Sequence, residues 1–113
     1  MTTHIKITDT NIAERSSITV TVYFRASGAA SAPSTVHYRI DNLTTGSNIT
    51  AWTSVTPGVS VDITITSAEN KIVGQSNVRE RRQITVSADK GTDTETRDTA
   101  SWFVNNIGGF DED

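Results

Sequence analysis

The chain has 113 residues, no cysteine and a formal net charge of −3. That length suits a single domain able to hold a core without metal or disulfide support. The charge gives no general attraction to nucleic acid or acidic membranes, and no apolar run approaches the ~20 residues that cross a bilayer as a helix.

Nineteen residues are threonine. Thr is β-branched and polar, so it suits the wet face of a strand and favours an all-β protein. No charged segment followed by an apolar run opens the sequence, so no secretory route is expected. The lack of cysteine points to a reducing compartment.

Met1 to Thr3 reads as a loose arm, and His4 to Thr8 as a short first strand. Asp9 to Arg15 is polar and turn-like. Ser17 to Phe24 is the clearest strand, with Ile18, Val20, Val22 and Phe24 on one face and Thr19, Thr21 and Tyr23 on the other. Arg25 to Ser34 is small and flexible in composition, a loop.

Thr35 to Ile40 is a third strand and Ser47 to Val55 a fourth, joined by the turn Asp41 to Gly46. After the turn Thr56-Pro57-Gly58, the residues Val59, Val61, Ile63 and Ile65 alternate as a fifth strand. Thr66 and Glu69 have capping-box spacing, which predicts a short helical turn to Val73, ended by Gly74. Ile84 to Asp89 and Thr99 to Val104 are the last two strands, joined by the loop Asp89 to Asp98.

About seven strands in this order predict an immunoglobulin-like or fibronectin-III-like antiparallel β-sandwich over residues 1–106. An acidic, flexible tail follows over 107–113. The Cys-Trp-Cys signature of antibody domains is missing.

The block Val36-His37-Tyr38-Arg39-Ile40-Asp41-Asn42-Leu43-Thr44-Thr45-Gly46, then Ile49, Trp52-Thr53-Ser54-Val55-Thr56-Pro57-Gly58 and Glu80-Arg81-Arg82-Gln83-Ile84-Thr85-Val86, has a familiar cast. It resembles small Ig-like structural proteins, decoration or accessory, of tailed bacteriophages. The resemblance covers roughly residues 15 to 105, and its motifs are structural rather than chemical.

It implies a virion component assembled in the bacterial host cytoplasm. Its partners would be other virion proteins, either the major capsid protein or tail components. A homo-oligomer and a host-surface glycan are further partners left open; nucleic acid and membrane are not expected.

The residues point to no catalytic centre, no metal and no cofactor. His4 and His37 are the two histidines; they fall within strand patterns, and no Gly-x-Ser-x-Gly elbow accompanies them. The loop from Asp89 to Asp98 holds four carboxylates, but their spacing is not that of an EF-hand and Lys90 and Arg97 offset the charge. It reads as a solvated hairpin loop.

Arg79-Glu80-Arg81-Arg82 is the basic cluster. Counted back from Ile84, Glu80 and Arg82 are in phase with the core and are expected at the sandwich rim, bridged to Asp41 or Asp62. Arg79 and Arg81 point outward, where guanidinium forks suit an acidic partner. Trp52 and Phe103 fall out of phase with their apolar neighbours, so each is either exposed or covered by a loop. With Arg79, Arg81 and Phe110 of the tail, they are the candidate interaction residues. If they form a platform with Tyr23, a carbohydrate-binding module for host attachment is the competing reading. The motifs at Asn42 and Asn48 match the N-glycosylation pattern and, without secretion, are turn and strand residues.

Overall fold

The computed structural model describes residues 1–74 and 76–107. Nine strands run through them: Thr2–Lys6 (β1), Asn11–Ala13 (β2), Ile18–Ala26 (β3), Ala29–Ala30 (β4), Val36–Asn42 (β5), Ser47–Val55 (β6), Ser60–Ile65 (β7), Arg79–Ala88 (β8) and Thr96–Asn105 (β9).

Two sheets form. In the four-stranded sheet, β3 lies between β1 and β7, with β4 turning back on its end; every pairing is antiparallel. The five-stranded sheet has the order β2-β9-β8-β5-β6 and is antiparallel except where β2 lies parallel to β9. The chain therefore starts in one sheet and crosses to the other between Lys6 and Asn11. Ile5 N donates to Asp98 Oδ2 at 2.8 Å, so β1 also bonds across the sandwich to β9.

Alternation builds the core. Val20, Val22 and Phe24 of β3 and Val61, Ile63 and Ile65 of β7 face inward, while Thr19, Tyr23, Ser60, Asp62 and Thr64 are exposed. From the other sheet come Val36, Ile40, Ile84, Val86, Ala88, Trp102 and Val104, all buried. Burying each of the larger aliphatic chains stabilises the fold by about 1.5–3 kcal/mol.

Several expectations are corrected. Thr2 and Thr3 belong to β1 rather than to a loose arm. The turn-like segment 9–15 contains β2, and the loop 25–34 contains the tight hairpin from β3 to β4. The last two strands are longer than their apolar alternation marked.

The helical turn expected to run to Val73 is reduced to consecutive turns over 66–71, with Asn70 N donating to Thr66 O at 3.2 Å. The Thr66–Glu69 capping box does form, with Thr66 N donating to Glu69 Oε1 at 2.8 Å and Glu69 N to Thr66 Oγ1 at 3.3 Å. No helix grows from it, because the amides of Val73 and Gly74 that would continue it donate to Glu80 instead. Residues 108–113, including Phe110 and most of the expected tail, lie outside the described residues.

Candidate docking face and the buried charge cluster

The parity of β8 sorts its four charges. Glu80 and Arg82 share the face of Ile84 and Val86, whereas Arg79 and Arg81 face outward. The inward pair is wholly buried and forms an ion pair at 2.8 Å. This corrects the expected partners: Glu80 and Arg82 pair with each other rather than with Asp41 or Asp62. The polar connector between β7 and β8 folds over the end of the core and closes the pair in.

These two side chains bond several of the connector's backbone groups. Glu80 accepts from Val73 N at 2.9 Å, Gly74 N at 2.7 Å, Asn77 Nδ2 at 2.9 Å and Asn42 Nδ2 at 2.9 Å, besides Arg82. Arg82 Nη2 donates to Lys71 O at 2.6 Å. Burial pushes the Glu80 carboxyl up, but these donors outweigh it and leave it at about 2. Asn70 extends the cluster: its side-chain oxygen accepts from Trp102 Nε1 at 2.9 Å and its amide donates to Ser16 O at 2.7 Å. Every contact is internal, so the cluster serves the fold.

The outward residues make a different surface. Phe103 lies beneath Arg79, whose guanidinium carbon stands 4.2 Å from the ring centroid. Arg81 Nη2 donates to Ser101 Oγ at 3.0 Å. Trp52 is half-buried among three cations: Arg97 at 5.1 Å, Lys90 at 5.2 Å and Arg39 at 5.6 Å from its centroid. A ring face attracts such cations, by about 0.5–1 kcal/mol each where exposed.

Sequence periodicity left both aromatics between exposed and loop-covered. Each is half-buried, and the cover is cationic side chains. Arg39, Lys90 and Arg97 were not anticipated around Trp52. The signal was present, since Arg39 is out of phase with Val36, Tyr38 and Ile40, and Arg97 with Ala100 and Trp102.

Two carboxylates temper this face. Arg39 forks onto Asp41 at 2.9 and 3.0 Å. Burial raises the Asp41 carboxyl, but hydrogen bonds from Arg39 and Asn48 bring it below its ordinary value. Glu95 accepts from the Ser87 hydroxyl and from Arg97 Nε at 2.7 Å, which hold it at about 2. Lys90, Arg79 and Arg81 have no carboxylate partner among the described residues.

The four loop carboxylates diverge. Asp89 Oδ1 accepts from Ser34 N at 2.8 Å, Asp93 is exposed, Glu95 turns to the sheet face and Asp98 binds Ile5 N. Among the described residues no group of His, Cys, Asp and Glu is placed to hold a metal ion. His37 stands opposite Ser87 in register, but the Ser87 hydroxyl donates to Glu95. No described helix is long and apolar enough to cross a membrane. No protein-family model, curated protein or solved structure matches the chain.

Proposed function

We propose that this protein is a non-enzymatic structural component of a tailed-bacteriophage particle, a decoration protein that docks on the capsid through the outer face of its five-stranded sheet. The observation that carries this reading is the charge on that face. Among the described residues, Arg39, Arg79, Arg81, Lys90 and Arg97 pair there only with Asp41 and Glu95, a surplus of three positive charges on a chain whose net charge is −3. Trp52 and Phe103 lie beneath those cations as flat apolar anchors. An acidic protein surface fits both, because arginine forks match carboxylates and buried aromatics anchor interfaces.

The topology supports an immunoglobulin-like or fibronectin-III-like assignment. On that reading β1, β3 and β7 correspond to A, B and E, and the order β2-β9-β8-β5-β6 to A′, G, F, C and C′. The resemblance of residues 36–58 and 80–86 to phage Ig-like proteins supports the virion assignment. On a repeating lattice, weak individual contacts suffice when copies or neighbours engage together.

The test is to mix purified protein with particles assembled without it, pellet them and count bound copies. Saturation at a lattice-like copy number on capsids is expected. Binding to isolated tails instead would make it a tail accessory protein, and binding to neither would end the assembly reading.

A further inference from the structure

The opposite face of the sandwich carries a second surface of different chemistry. Strand register places His4, Tyr23 and Ser60 in one row across β1, β3 and β7, and Thr2, Arg25 and Ala30 in the next row across β1, β3 and β4. These side chains face outward, because Ile5, Val22, Phe24 and Val61 beside them fill the core. Together with Val59 they bound an open groove of about 590 Å³ with a mainly apolar lining. Tyr23, in its middle, is 42 % exposed although it sits on the central strand of its sheet. Arg25 makes no ion pair among the described residues.

We propose that this groove binds an acidic saccharide, a pyranose unit carrying a carboxylate. A pyranose presents an apolar C–H face and a rim of hydroxyls. The Tyr23 ring offers a flat partner for the first. The Thr2 and Ser60 hydroxyls and the His4 imidazole offer donors and acceptors for the second. The unpaired Arg25 fork selects the carboxylate. The volume falls in the range of about 300–1,000 Å³ typical of small-ligand sites. A protein partner would instead need a broad surface of about 800 Å² on each side. The site is independent of the assembly reading, since none of its residues lies on the five-stranded sheet.

The test is a titration of the ¹⁵N-labelled full chain with tetragalacturonic acid, with its methyl ester and with maltotetraose as controls. The expected result is saturable amide shifts at Thr2, His4, Tyr23, Arg25 and Ser60, with a dissociation constant of about 1 mM or tighter. Arg25→Gln weakens binding of the acid about tenfold, and Tyr23→Ala abolishes it. Both side chains are exposed, and the methyl ester keeps the test decisive even if one variant fails to fold. Three results would each overturn the proposal: no saturable shift, shifts confined to the Arg79–Phe103 face, or an equal response to acid, ester and maltotetraose.

Discussion

Glu80 and Arg82 meet at 2.8 Å with neither side chain exposed to solvent. They stand two residues apart on one strand, so the pleat aims both into the same interior. Between them they fasten Glu69, Lys71, Gly74 and Asn77 to the end of the core. Removing one partner of a buried pair typically costs about 3–5 kcal/mol, because a charge is left uncompensated. Glu80→Ala falls in that range and also orphans the amides of Val73 and Gly74. Arg82→Met costs less, since Glu80 keeps its donors from Val73, Gly74, Asn77 and Asn42. Urea unfolding of the two variants checks the order, and a larger loss for Arg82→Met would contradict it.

The same carboxyl sets an acid limit. Its folded value of about 2 lies below the ordinary 4.5, so the stabilisation is present above the ordinary value. It is lost as pH falls from about 4.5 toward 2, by on the order of 3 kcal/mol. Stability curves measured across that window are therefore steep for the wild type and shallower for Glu80→Gln. Glu95, depressed as well, leaves a residual slope in both.

Gly74 tests how tightly the connector is held. A Cβ there would lie 2.5 Å from Asn77 Nδ2 and 3.2 Å from Glu80 Oε2. Those atoms are hydrogen-bonded to each other and cannot swing away freely. Gly74→Ala should cost about 1–3 kcal/mol, as overpacking of a filled site does. Thermal or urea unfolding within experimental error of the wild type would show that the connector yields.

The strands with regular alternation were legible in the sequence. Val20, Val22 and Phe24, and Val61, Ile63 and Ile65, are buried as their period-2 pattern predicts. What escaped was structure made by distant partners. Ile12 and Ala13 form a strand because they lie against Val104 and Asn105, a pairing that three residues cannot announce. Glu80 and Arg82 had the right phase, but their charge suggested water. Only the folded connector shows where their donors and acceptors are. The outward direction of Arg79 and Arg81 followed from that same phase, whereas the cations around Trp52 gather from β5, β9 and a loop.

The hairpin from β3 to β4 offers a stabilising change. Ser27 and Gly28 both have positive φ, 52° and 80°, and they link the paired residues Ala26 and Ala29. Such two-residue turns favour Asn-Gly. Ser27→Asn should stabilise the protein by about 0.5 kcal/mol. A lowered denaturation midpoint would contradict this.

The docking face yields a kinetic prediction. If cations guide association, Arg79→Ala and Arg81→Ala slow binding to particles with little change in fold, and added salt slows the wild type toward the variants. Association rates by surface-immobilised particles at two salt concentrations would show this. Salt-independent rates would show that charge does not guide the docking.

Binding to the particle through the outer face of the five-stranded sheet can be read directly. Its most direct measurement is the copy number bound to particles lacking the protein, compared among wild type, an Arg79→Glu/Arg81→Glu/Arg97→Glu variant and Tyr23→Ala. Saturable binding is expected for the wild type and Tyr23→Ala, and loss of binding for the charge-reversed variant. Undiminished binding by the charge-reversed variant, or no binding by the wild type, would contradict it.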